Sequence, residues 1–186
     1  GNGFMYITMT DCVFSGKKGN YSETDFRDAD DVYGRSKALG EIVNGRDLTI
    51  RTSIIGPELK ADSEGLFHWF MSQHGMVSGF KTAIWGGVTT LELAKAISVA
   101  IKEGTTGLVQ LSNGTEISKY DLLCLFKDIW GRKDVEIVSV DTNGVDKSIA
   151  KSARFGYEVP GYREMLKDLY AWMQAHKDMY RQYWER

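Results

Sequence analysis

Short apolar runs that alternate with helix-forming segments constrain this chain more than any other feature. Residues 4–9, with Phe4, Tyr6 and Ile7, are rich in aromatic and branched side chains and read as a buried strand. Residues 48–55 alternate like a strand until Gly56-Pro57 breaks the run, and further strands are expected at 108–111 and 135–138, with a short apolar piece at 83–85. Helix signals lie between them. Asp30 or Asp31 is placed to cap a helix over 32–43 that Asn44-Gly45 stops, and others are expected around 64–73, over 91–102, over 119–130 behind Ser118, and from Arg163 onward. Thr89-Thr90-Leu91-Glu92 has the spacing of a capping box. The alternation predicts an α/β fold in which helices cover both faces of a parallel sheet.

Composition narrows the partners. A formal charge of -2 over 186 residues gives no reason to expect binding to nucleic-acid backbones or anionic lipid. No apolar stretch is long enough to span a bilayer, and Gly1-Asn2-Gly3-Phe4 lacks the basic flank of a secretory signal. Cys12 and Cys124 form neither a CxxC pair nor a disulfide framework, which fits a reducing, cytoplasmic setting. The loop expected over 15–31 carries Glu23, Asp25, Asp28, Asp30 and Asp31, but not in the ligand order of an EF-hand, and His74 and His176 have no neighbours at metal spacing. No metal is expected.

Tyr33-Gly34-Arg35-Ser36-Lys37 is the sharpest chemical constellation. The i, i+4 spacing puts a phenol and an ammonium on one helix face, where the cation favours the phenolate form. The pattern is common as an ordinary exposed helical pair, and its context gives it weight. Thr10 closes a predicted strand and would present a hydroxyl at the carboxyl end of the sheet, where open α/β folds bind ligands.

With these residues in place, Thr10-Asp11-Cys12-Val13-Phe14, Gly16-Lys17-Lys18-Gly19, Tyr33 through Lys37 with Gly40-Glu41, and Ile50-Arg51-Thr52-Ser53 resemble the dTDP-4-dehydrorhamnose reductases, which are extended short-chain dehydrogenase/reductases. Weaker similarity runs through Gly87-Val88-Thr89-Thr90, Gly107 to Leu111 and Val159-Pro160-Gly161-Tyr162, so it covers essentially the whole chain. The resemblance implies a partial Rossmann-like parallel sheet over 1–115, the distal part of an NAD(P)-binding domain, and a small, mainly helical substrate-binding lobe over 116–186. It implies reduction of a nucleotide-linked 4-keto-6-deoxy sugar, with NADPH or NADH, in making the sugars of cell-surface polysaccharides. Thr10, Tyr33 and Lys37 would be catalytic; Tyr33, Lys37 and Thr52 would bind cofactor; Thr10, Asp11, Ile54, Val88 and Thr89 would bind substrate. A homodimer is among the assemblies it admits.

Departures from the pattern matter too. Superfamily members open with a strand, a Gly-rich turn and a helix that holds the pyrophosphate, and Gly1-Asn2-Gly3 lacks the preceding strand and the spacing of that turn. The expectation is therefore a chain lacking the N-terminal half of the cofactor domain and inactive alone. Related 4,6-dehydratases place Asp and Glu after the hydroxyl residue; here Cys12 follows Asp11, which argues against dehydration. GDP-fucose synthases use a cysteine at that spacing with a histidine for epimerisation, so Cys12 with His68 keeps a bifunctional epimerase/reductase as an alternative. Ile54 stands where a tryptophan is frequent, and Asp146-Lys147-Ser148 replaces an Arg-Pro, which leaves the sugar undetermined. A non-catalytic sugar-nucleotide binding module is the remaining alternative.

Overall fold

A computed structural model describes residues 6–60 and 64–184. Residues 4 and 5 of the first expected strand, and Gly1-Asn2-Gly3, lie outside the described residues. The first sheet is parallel, in the order β1 (Tyr6–Met9), β2 (Leu48–Arg51) and β7 (Gly107–Gln110), with Met9 level with Arg51 and Arg51 level with Gln110. Every residue of β2 and β7 is buried, so both faces are covered, as the alternation predicted. On one face Leu48, Ile50 and Val109 pack with Leu93, Ala96 and Ala100 of α3 (Thr90–Glu103) and with Met165 of α5 (Tyr162–Ala175). Thr49 and Arg51 alternate onto the other face. There Arg51 forms a two-pronged ion pair with Glu41, at 2.7 and 2.8 Å, and its guanidinium lies 4.9 Å from the Phe14 ring centre.

Glu41 also explains why α1 (Val32–Leu39) is shorter than the helix expected over 32–43. The chain leaves the helix at Gly40, whose N–H bonds back to Ser36 and Lys37 carbonyls, so that Glu41 can turn inward to Arg51. The strand expected over 48–55 divides at Thr52-Ser53 into β2 and β3 (Ile54–Ile55), and β3 pairs in parallel with β6 (Val88–Thr89).

A second apolar cluster joins α2 (Leu66–Ser72) and β5 (Ala83–Trp85) to α4 (Lys119–Ile129) and α5 through Phe67, Phe70, Trp85, Phe126 and Leu166. Beside it β4 (Gly75–Phe80) pairs in parallel with β9 (Val135–Val140) along six residues. Two short strands complete the set: β8 (Ile117–Ser118) runs antiparallel to β5, and β10 (Val145–Asp146) runs parallel to it. Strand β4 was not expected, because two glycines and exposed alternate positions hide it. Gly79 is needed there, since a β-carbon would press on the Tyr120 ring and Ile137. Serine 118 caps α4 by accepting from Asp121 N–H at 3.0 Å, as its sequence predicts. The capping box before α3 is half formed. Thr89 accepts from Glu92 N–H, while the Glu92 carboxylate is drawn to Tyr157 and Lys95 instead of back to the cap. No helix among the described residues is long and apolar enough to cross a membrane.

Candidate active site

Strand β1 delivers Thr10 to the carboxyl end of the first sheet, where the chain turns into a 3-10 helix over Asp11–Val13. Thr10 caps that turn, accepting from Cys12 N–H at 3.1 Å, and its hydroxyl donates to Asp11 Oδ1 at 3.2 Å. Asp11 is only 4% exposed. Burial pushes its carboxyl pKa up, against hydrogen bonds from Thr10 and Cys12 and the positive charges of Lys147 and Lys119.

Helix α1 packs directly on this turn. Asp31 caps it by accepting from Gly34 N–H at 2.8 Å, which holds the Asp31 carboxyl below its ordinary pKa. Gly34 is buried against the Cys12 carbonyl oxygen and Ala29, and any side chain there would collide with both. The second residue of the Tyr33-Gly34-Arg35-Ser36-Lys37 motif therefore sets how closely the helix approaches the Thr10 turn. Tyr33 is 54% exposed, and the Lys37 ammonium lies over its ring, 5.6 Å from the centre. Among the described residues neither the Tyr33 hydroxyl nor the Lys37 ammonium takes a hydrogen bond or an ion pair. A phenol and a cation are thus left free beside the strand end, a donor set that fits a nicotinamide ribose and a carbonyl oxygen.

The loop at 15–21 braces the same turn. Tyr21 stacks on Phe14 with ring centres 4.1 Å apart, and its hydroxyl accepts from Gly16 and Lys18 N–H. Its backbone bridges to Ser148 and Ala150, which brings Lys147 toward Asp11. Sequence reasoning missed Tyr21, Lys119 and Lys147; the tyrosine after Gly19-Asn20 was the one local signal. A cavity of about 500 Å³ lies beside this clasp, lined by Asn20, Thr115, Glu116 and Ser148 among others, and Thr10, Tyr33 and Lys37 do not line it.

The other expected site residues lie elsewhere or are engaged. Thr52 is 3% exposed and its hydroxyl donates to the Leu111 carbonyl at 2.7 Å, a bond that ties β2 to the end of β7. Val88 and Thr89 are enclosed, at 0% and 1% exposure, and Thr89 is committed to capping α3, so neither offers a surface to substrate in this structure. Ile54 is half-exposed. Cys12 is half-buried and hydrogen-bonds Asp11, whereas His68, on α2, is buried with Nδ1 2.8 Å from the Tyr183 hydroxyl. Among the described residues no hydrogen bond joins Cys12 to His68.

The fold is Rossmann-like, as in the solved structures that it resembles. Within that class the chain has the fold of a dTDP-4-dehydrorhamnose reductase from Clostridium acetobutylicum, with a TM-score of 0.77 at 20% identity over 92% of this chain and 66% of that one. The Bacillus anthracis dTDP-4-dehydrorhamnose reductase in complex with NADP gives 0.75 at 19% identity, covering 90% and 65%. The dTDP-glucose 4,6-dehydratase of the same organism, in complex with NAD, gives 0.69 at 17%, covering 97% and 64%. The chain spans about two thirds of the length of these solved structures. No protein-family model matches it, and no curated protein matches its sequence.

Proposed function

We propose that the complete polypeptide carrying this sequence is an NAD(P)-dependent reductase of a nucleotide-linked 4-keto-6-deoxy sugar, serving the synthesis of cell-surface polysaccharide sugars in the cytoplasm. The observation that carries this reading is the exposed, unengaged Tyr33 phenol beside the Lys37 ammonium, on a helix pressed against the turn that Thr10 caps. The nicotinamide, when bound, supplies hydride to the carbonyl carbon. Tyr33 would pass its phenolic proton to the carbonyl oxygen as that oxygen takes the C=O bonding pair, giving the alcohol. The phenolate left behind lies next to the Lys37 charge, which lowers the cost of forming it. Thr10 would orient the oxygen, and Lys37 would also hold the nicotinamide ribose. The substrate lobe draws on residues 66–85 as well as on those after 115, because both pack into one apolar cluster.

The test is oxidation of NADPH or NADH by the complete polypeptide with dTDP- or UDP-linked 4-keto-6-deoxy sugars. Tyr33→Phe is expected to lower kcat by about 10²- to 10⁴-fold, the usual worth of a positioned acid, with cofactor affinity retained. Wild-type behaviour of both Tyr33→Phe and Lys37→Met would favour a non-catalytic binding module.

A further inference from the structure

The Thr10 hydroxyl has one proton and two lone pairs. The fold already engages two of these three sites, since Cys12 N–H donates to Oγ1 at 3.1 Å and Oγ1 donates its proton to Asp11 Oδ1 at 3.2 Å. A substrate carbonyl oxygen, or the alkoxide it becomes, accepts hydrogen bonds and gives none. Thr10 can therefore serve it only by donating, and its single proton points at Asp11. Something must turn that proton round before the hydroxyl can do what the reductase reading asks of it.

We propose that Asp11 is a positioning residue that switches the direction of the Thr10 hydroxyl. As a neutral acid Asp11 donates to the free lone pair of Thr10 Oγ1, and the Thr10 proton swings out to the carbonyl oxygen; as a carboxylate Asp11 recaptures it. Asp11 loses no proton in the cycle, because the proton delivered to the alkoxide comes from Tyr33. The inference rests on the reductase reading for its purpose, and on the two hydrogen bonds for its geometry.

The surroundings suit such a switch. Asp11 is enclosed, and burial raises its carboxyl pKa, which brings the neutral form closer to working pH. The groups that act on it are Thr10 and the Cys12 thiol on its own turn, Lys147 beside β10 and Lys119 at the start of α4. Lys147 also acts on Asp31 at the head of α1. The two lysines act against the effect of burial on the carboxyl.

Two measurements on the complete polypeptide test this. In the first, the Asp11 carboxyl is titrated by infrared difference spectroscopy, with Asp11→Asn identifying its band. Thr10→Val, which removes a donor to the carboxylate, is expected to move the Asp11 titration upward; an unmoved titration would overturn the switch. In the second, kcat is followed against pH. Wild-type kcat is expected to fall by roughly tenfold as Asp11 ionises, the rate equivalent of one hydrogen bond to a developing charge. Asp11→Asn, whose amide N–H donates to Oγ1 at every pH, should flatten that limb with KM little changed, and persistence of the limb would also overturn the proposal. Absence of wild-type turnover with a normal Thr10–Asp11 coupling would instead strike the reductase reading, so the two failures are read separately.

Discussion

Two phenols in this chain live under opposite conditions. Tyr33 stands half in solvent with its hydroxyl unengaged. Tyr162 donates to the Thr115 carbonyl, and burial pushes its pKa up to about 12. An unfolded tyrosine ionises near 10, so Tyr162 contributes its full stability below about pH 10 and loses it as pH rises toward 12. Melting temperature should therefore decline over that interval, and Tyr162→Phe should soften the decline while costing about 1 kcal/mol at neutral pH for the lost hydrogen bond. The pairing of Tyr33 with Lys37 was legible in the sequence, because i, i+4 proximity needs nothing beyond helical geometry. The lysines that act on Asp11 were not, since Lys119 and Lys147 lie over a hundred residues away, Lys147 being next to the Ser148 that the Tyr21 backbone holds.

At the scale of elements, the exit from α1 depends on the Arg51–Glu41 pair, whose side chains are 2% and 1% exposed. Arg27 also reaches Glu41, at 3.0 Å. Glu41→Leu leaves the Arg51 guanidinium buried without its counter-charge and is expected to cost about 3–5 kcal/mol, read as a shift in denaturant midpoint at constant m. Glu41→Leu combined with Arg51→Met should cost less than the single change, because no buried charge is then left alone. Most helices were foreseeable for a local reason: Asp31, Thr89 and Ser118 each cap with a side chain a few residues from its target. The end of α1 and the existence of β4 were not, because each is fixed by a partner distant in sequence, Arg51 in one case and β9 in the other.

Across the whole molecule, residues on both sides of position 115 share one apolar cluster and one strand pair. Phe67, Phe70 and Trp85 pack with Phe126, Leu166 and Met173, and β4 has β9 for its neighbour. A polypeptide ending at residue 115 would expose those aromatic faces and leave β4 unpaired, so it is expected to give the poorly dispersed NMR spectrum and non-cooperative melting of a chain without a fixed core. The amino-acid sequence alone determined the α/β alternation, the caps and the Tyr33–Lys37 pairing, all of which depend on backbone geometry over a few residues. Only the tertiary structure decided which polar groups stay available. Thr52 and His68 were also candidates, yet long-range packing gives each a partner elsewhere in the fold, as the local cap does for Thr89, and a hydroxyl or imidazole already bonded in the interior has less left to offer a ligand.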